Sequence, residues 1–127
     1  MARRAAGDRG SFALELAVVA PALLLIIAFV VSVGRVTEAR AQVQGAARDV
    51  VRASTINHNG NSEVAAREAY QTATAGMDCD GLVLDPLQAV PGLPVIATVT
   101  CHVRTMWGRQ TIVRTARSVT DVYRGVD

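Results

Sequence analysis

Residues 16–33 form an eighteen-residue stretch without a charged side chain, and the apolar character extends over residues 12–34 with Glu15 as its one ionisable interruption. As an α-helix rising about 1.5 Å per residue, residues 12–34 cover about 34 Å, enough to cross about 30 Å of bilayer hydrocarbon. The periodicity does not stop there. Val36, Val43 and Val50 recur at every seventh position, with Ala39, Ala46 and Ala53 three further on in each repeat, which is one apolar face at helical spacing. The pattern predicts a first helix over residues 12–54. Pro21 removes one backbone donor within it and is expected to kink it near the middle of the membrane. Gly34 and Gly45 each weaken it by about 1 kcal/mol relative to alanine.

Residues 55–61 are dense in turn formers and include His58. A second helix is expected to start at an Asn61 or Ser62 cap, with Glu63 near its positive end, and to stop at Gly76. Its apolar stripe is Val64, Ala65, Ala69 and Ala73, with Tyr70 at one side, suited to packing on a flat surface. Residues 94–104 supply one by strict alternation: Val95, Ala97, Val99, Cys101 and Val103 face one way, and Ile96, Thr98, Thr100, His102 and Arg104 the other. A turn around Trp107, Gly108 and Arg109 leads to a second strand over 110–121, and 81–85 reads as a third. The predicted fold class is α+β: a long N-terminal transmembrane helix continuing into the exported region, a shorter helix, and a small antiparallel sheet of about three strands. The domain reading is a basic leader at 1–10, a transmembrane helix at 11–34 and an exported α+β domain at 35–127.

Charge sharpens the topology. The chain has thirteen arginines and no lysine against eleven acids, and removing residues 1–10 takes away Arg3, Arg4, Arg9 and Asp8, leaving ten of each sign. The excess positive charge sits in the leader, so the exported part offers no basic surface for nucleic acid, and no aromatic platform accompanies it. Three arginines precede the apolar run, whereas Arg35 and Arg40 follow it with Glu38 between them. The positive-inside rule places the N-terminus in the cytoplasm and exports the rest. Cys79 and Cys101, the two cysteines, then fall in an oxidising compartment and are expected to form a disulfide worth about 3 kcal/mol in the chain-entropy model. A metal site recruiting His102 with Asp78 or Asp80 lacks the usual ligand spacings.

Catalysis finds little support. His58 and His102 have no serine, cysteine or carboxylate partner at motif spacing, and no cofactor is expected. Asp78-Cys79-Asp80-Gly81 has the opening of a calcium loop, but Ala89 stands where the closing acidic ligand belongs, so a capped turn is expected. Trp107 and Tyr123 are expected as partly buried structural aromatics, with a partner-binding role as the other reading. Glu15 is different. An ionised side chain deep in hydrocarbon costs roughly 2.5 to 3.5 kcal/mol, so a carboxylate inside an apolar run marks a functional position unless it snorkels to the interface.

The segment Gly10-Ser11-Phe12-Ala13-Leu14-Glu15, behind a basic leader, resembles the processing site of type IV prepilins. More narrowly, residues 10–40 are similar to TadE-like pseudopilins of the Tad/Flp (type IVb-like) pilus assembly system, with Glu15, Ala17 and Pro21 matching that family's Glu-x-Ala-x-x-x-Pro pattern. The resemblance implies a cut between Gly10 and Ser11 by a prepilin peptidase, and an assembly contact in which Glu15 meets the new amine of a neighbouring subunit. It implies an accessory or minor component of the pilus apparatus, held in the cytoplasmic membrane by a single pass, with entry into a cell-surface pilus left open. The implied partners are the peptidase, other pilins and pseudopilins, the Tad secretion machinery of the inner membrane and the lipid bilayer. Two other readings remain open. Ser32-Val33-Gly34 offers small residues for a signal peptidase that would release a soluble domain from Arg35, although the apolar run exceeds the usual 7 to 15 residues, roughly, of such signals. The third reading is an unprocessed membrane-anchored adaptor.

Overall fold

The computed structural model describes residues 7–57 and 60–120; Arg3, Arg4, His58, Asp121 and Tyr123 lie outside the described residues. Five elements follow in order: α1 (Gly7–Ile56), α2 (Ser62–Ala73), β1 (Asp78–Asp85), β2 (Pro94–Thr105) and β3 (Gly108–Val119). The class is the expected α+β. The chain divides into two compact units, Met1–Arg35 and Val36–Asp127.

In the first unit α1 has no core to cover. Its large apolar side chains, from Phe12 through Val33, are all at least half exposed, and no part of its most apolar window is buried. A soluble helix hides such a surface against another element. This one has a length and composition fit for lipid. The hydroxyl of Ser32 is satisfied within the helix, donating to the Ala28 carbonyl at 2.9 Å, the arrangement that lets a serine sit in an apolar segment. The helical assignment runs unbroken through Pro21. It also begins at Gly7, five residues earlier than the apolar run predicts, so Gly10 and Ser11 are themselves helical.

In the second unit the heptad pattern becomes packing. Val43, Ala46 and Val50 are buried, and Ala47, Val51 and Ser54 join them one position further round the helix. They form one core with the inner face of the sheet, where Val95, Ala97, Val99 and Cys101 of β2 are almost fully buried. Alanine at alternate places lets α1 approach closely. Gln44 reaches from α1 to the Thr115 carbonyl of β3 at 3.4 Å.

The sheet is an antiparallel meander in the order β1-β2-β3, with β2 central. Its β2 alternation is the one the sequence predicts, but β1 begins three residues early. The stretch expected as a capped turn, Asp78-Cys79-Asp80, is extended and pairs with β2, Cys79 lying opposite Cys101. A bulge between Cys79 and Gly81 absorbs the extra residue, so Cys79 faces the core while Asp80 reaches the outer face. The reason is tertiary: pairing to a long central strand overrides the turn preference of aspartate.

The α2 reading needs two corrections. The helix stops at Ala73, because Thr74 turns both its N–H and its hydroxyl back onto the Tyr70 carbonyl at 2.9 and 2.6 Å. Its buried residues are Ser62 and Ala66, with Ala69 and Tyr70 partly buried against the core, whereas Val64, expected on the inner stripe, is 65% exposed. Ser62 sets this rotation. Its hydroxyl donates to Gln88 Oε1 at 2.8 Å and accepts the Ala89 N–H at 2.9 Å, pinning the helix start to the loop after β1. Asn61 is the N-cap residue but makes no side-chain cap bond.

Candidate functional site

Two places in the structure carry chemistry beyond packing: the start of α1, and the outer face of the sheet beside the disulfide.

Gly10, Ser11 and Glu15 lie on consecutive turns of α1 and are solvent-exposed. Ser11 and Glu15 are four residues apart, on one face of the helix. Gly10 has no heavy atom within 4 Å of where a Cβ would stand, so the fold itself places no demand on glycine there. Glu15 has no hydrogen-bond or ion-pair partner among the described residues. Set in an apolar helix, it is a carboxylate without a cation beside it among the described residues.

The second place begins with the covalent bond. Cys79 and Cys101 are joined as a disulfide between directly paired positions of β1 and β2. The bond staples the second residue of β1 to the central strand, within a few residues of the end of α2. The residue after each cysteine completes a polar brace. His102 Nε2 lies 2.9 Å from Asp80 Oδ2, and its Nδ1 lies 3.0 Å from Thr111 Oγ1 on β3. An ionised carboxylate only accepts, so Nε2 carries a proton and donates to Asp80, while Nδ1 accepts from the Thr111 hydroxyl when the imidazole is neutral and donates to it when the imidazole is charged. One imidazole thus links all three strands. Beside it Arg109 pairs with Asp78 at 2.8 Å.

Sequence reasoning misses this arrangement because Asp80 and Thr111 stand at no motif spacing from His102. The available signal was that Asp80 and His102 each follow a cysteine, so a Cys79–Cys101 bridge brings them level. Among the described residues no group of three histidine, cysteine or acidic side chains is disposed to hold a metal ion.

The hydrogen bond from His102 is the main reason that Asp80 is held below its ordinary value of 3.8; desolvation opposes it as the next largest effect, and the charges of His102 and Arg109 add smaller contributions in the lowering direction. Tyr70 moves the other way: burial raises its pKa, the nearby Asp80 charge adds to this, and a bond from the Gly81 backbone opposes it. A carboxylate lowered by folding contributes stability above pH 3.8 and loses that contribution as the pH falls through its lowered value. Asp80→Asn is therefore expected to melt slightly below the parent protein near neutral pH, the gap being small because the site is exposed. The two melting temperatures should converge in acid. A gap that widened on acidification would contradict the assigned brace.

These features define a class: a membrane-length helix that feeds directly into an α+β unit, with the sheet stapled by a disulfide. A family model described as TadE-like protein matches residues 10–52. The match takes in the Gly10-to-Glu15 segment, the apolar run and the Val36, Val43 and Val50 face, and it is consistent with a TadE-like protein of the Tad/Flp system. No curated protein and no solved structure matches the chain. The TadE-like pilus-assembly family is not an enzyme family.

Proposed function

We propose that the chain is a minor pseudopilin of Tad/Flp pilus assembly, anchored in the cytoplasmic membrane by α1 with its N-terminus in the cytoplasm and the unit Val36–Asp127 exported. The observation that carries this reading is the coincidence of the TadE-like match with a helix whose apolar surface has nothing to pack on. The disulfide supports export, since such bonds persist outside the reducing cytosol.

On this reading a prepilin peptidase cuts between Gly10 and Ser11, which leaves a cationic α-amine at Ser11. Gly10 suits the peptidase because a residue without a side chain opens from a helix most readily and admits the backbone to a tight cleft. Glu15 then takes the amine of a neighbouring subunit, a pairing strengthened where water is scarce. Pro21 bends the helix by freeing the Ala17 carbonyl. Other pilins and pseudopilins and the Tad secretion machinery are the partners this scheme requires.

Glu15→Leu tests the pairing. Leucine leaves the cleavage site and the apolar helix in place, so processing should continue. Leaving a buried amine unpaired costs about 3 kcal/mol, on the order of a hundredfold in association, so incorporation into the assembly should collapse. Comparing membrane-bound with assembled protein in cells carrying the variant reads this directly. Normal amounts of functional pilus would refute the contact.

A further inference from the structure

The β2–β3 hairpin closes with Thr105 opposite Gly108, leaving Met106 and Trp107 at its corner. Gly108 takes the positive φ of +112° that the turn needs, which frees the two corner positions for ordinary side chains. Thr105 Oγ1 accepts the Trp107 N–H at 3.3 Å and donates to the Gly108 carbonyl at 2.9 Å, so the turn is braced. It holds Trp107 76% and Met106 53% exposed, against the expectation of a partly buried structural tryptophan. The reason is geometric: the hairpin extends past the last row of the core, and among the described residues of the unit Val36–Asp127 nothing covers its tip.

The position of this tip follows from the packing inside the unit Val36–Asp127. Gln44 of α1 bonds to Thr115, which pairs with Thr98. Five residues earlier along α1, Ala39 shares a groove with residues 101–104 of β2. Going back along α1 therefore means going forward along β2. Trp107 lies up to about 10 Å beyond Arg104 at the usual strand rise, whereas α1 covers only about 4.5 Å from Ala39 back to Val36. The tip thus stands at the margin where α1 enters the unit.

We propose that Met106 and Trp107 form a second membrane contact, seated in the headgroup layer of the bilayer on the exported side. This rests on the membrane-anchored reading of α1. Tryptophan is the side chain best suited to that layer, with an apolar ring and one N–H for a phosphate or ester oxygen. Arg104 is exposed beside it and has no ion-pair partner among the described residues, which fits it to a lipid phosphate. The nearby acids do not oppose the contact, because Asp78 is paired with Arg109 and Asp80 with His102. Arg104 and Arg109 balance these two acids, so the contact is driven by the apolar tip and not by anionic lipid. It limits how far the exported unit can swing on its tether.

Trp107 is the sole tryptophan of the chain, so its emission reports on the tip alone. The test reconstitutes the full chain in phosphatidylcholine vesicles, with and without phosphatidylcholine brominated high on its acyl chains, and confirms insertion by flotation after an alkaline wash. The expected result is blue-shifted emission, several-fold protection from iodide and quenching by the brominated lipid, all insensitive to salt. Protein that floats while Trp107 stays open to iodide and untouched by bromine overturns the contact and leaves the anchored reading standing. Protection from iodide without bromine quenching assigns the tip to a protein neighbour and also overturns it. Failure to float removes both readings.

Discussion

Replacing Cys79 and Cys101 together by alanine is expected to lower the stability of the unit Val36–Asp127 by about 3 kcal/mol, a fall in melting temperature on the order of 15 °C. The magnitude follows from the size of the unit. Its core is built mainly from valine and alanine, with Leu84 and Ile112 as the larger buried aliphatics, and each of these side chains contributes about 1.5 to 3 kcal/mol at most. A sheet of three strands, one short helix and the last part of α1 therefore have little reserve when the loop between positions 79 and 101 is released. The loss should spread locally as well. The bulge that turns Asp80 outward depends on Cys79 being held against Cys101, so the link from His102 to Asp80 should weaken with it. A urea titration read by proteolysis of the unit Val36–Asp127, with and without reductant, measures this. Coincident midpoints for the oxidised, reduced and doubly substituted proteins would show that the core suffices alone.

The second large effect concerns Gly10. Gly10→Ala should leave the folded protein unchanged, because an added Cβ meets nothing within 4 Å. It should nevertheless slow cleavage. Because the segment is helical in the intact chain, a peptidase must open it, and alanine holds a helix about 1 kcal/mol more tightly than glycine, about a fivefold slowing before any clash in the enzyme. A larger side chain such as leucine at the same place should stop processing, with the uncut precursor accumulating in the membrane. Gel mobility of the chain in cells with and without prepilin peptidase separates the two forms. Cleavage of Gly10→Leu at the parent rate would remove Gly10 from the processing site.

Much of the fold was legible because a few residues carry strong periodic signals. The seven-residue spacing of Val36, Val43 and Val50 and the alternation of residues 94–104 each specify one inner face, and the structure buries Val43 and Val50 of the first and Val95, Ala97, Val99 and Cys101 of the second. What was illegible depended on contacts between distant segments. Val64 looked like part of an inner stripe, but the buried hydroxyl of Ser62, held by Gln88 and Ala89, rotates α2 so that Ala66 takes the inner place. Asp78 and Asp80 looked like turn residues until the long β2 strand gave them a ladder to join. Trp107 looked structural by its type alone; the register of the hairpin puts it at the turn, where it is 76% exposed. The N-terminal segment differs from all of these. Gly10, Glu15 and Pro21 were found through local sequence, and the isolated chain gives Glu15 no partner among the described residues. On the proposed reading, their roles are played out with an enzyme and with neighbouring subunits.

The most direct measurement is therefore the N-terminus of the mature protein, determined by mass spectrometry on chain extracted from membranes of cells that make the pilus. The account predicts a first residue of Ser11. A mature chain beginning at Arg35 would mean release by signal peptidase, and one retaining Met1 or Ala2 would mean an unprocessed anchor; either would contradict the assignment of Gly10 and the amine contact at Glu15.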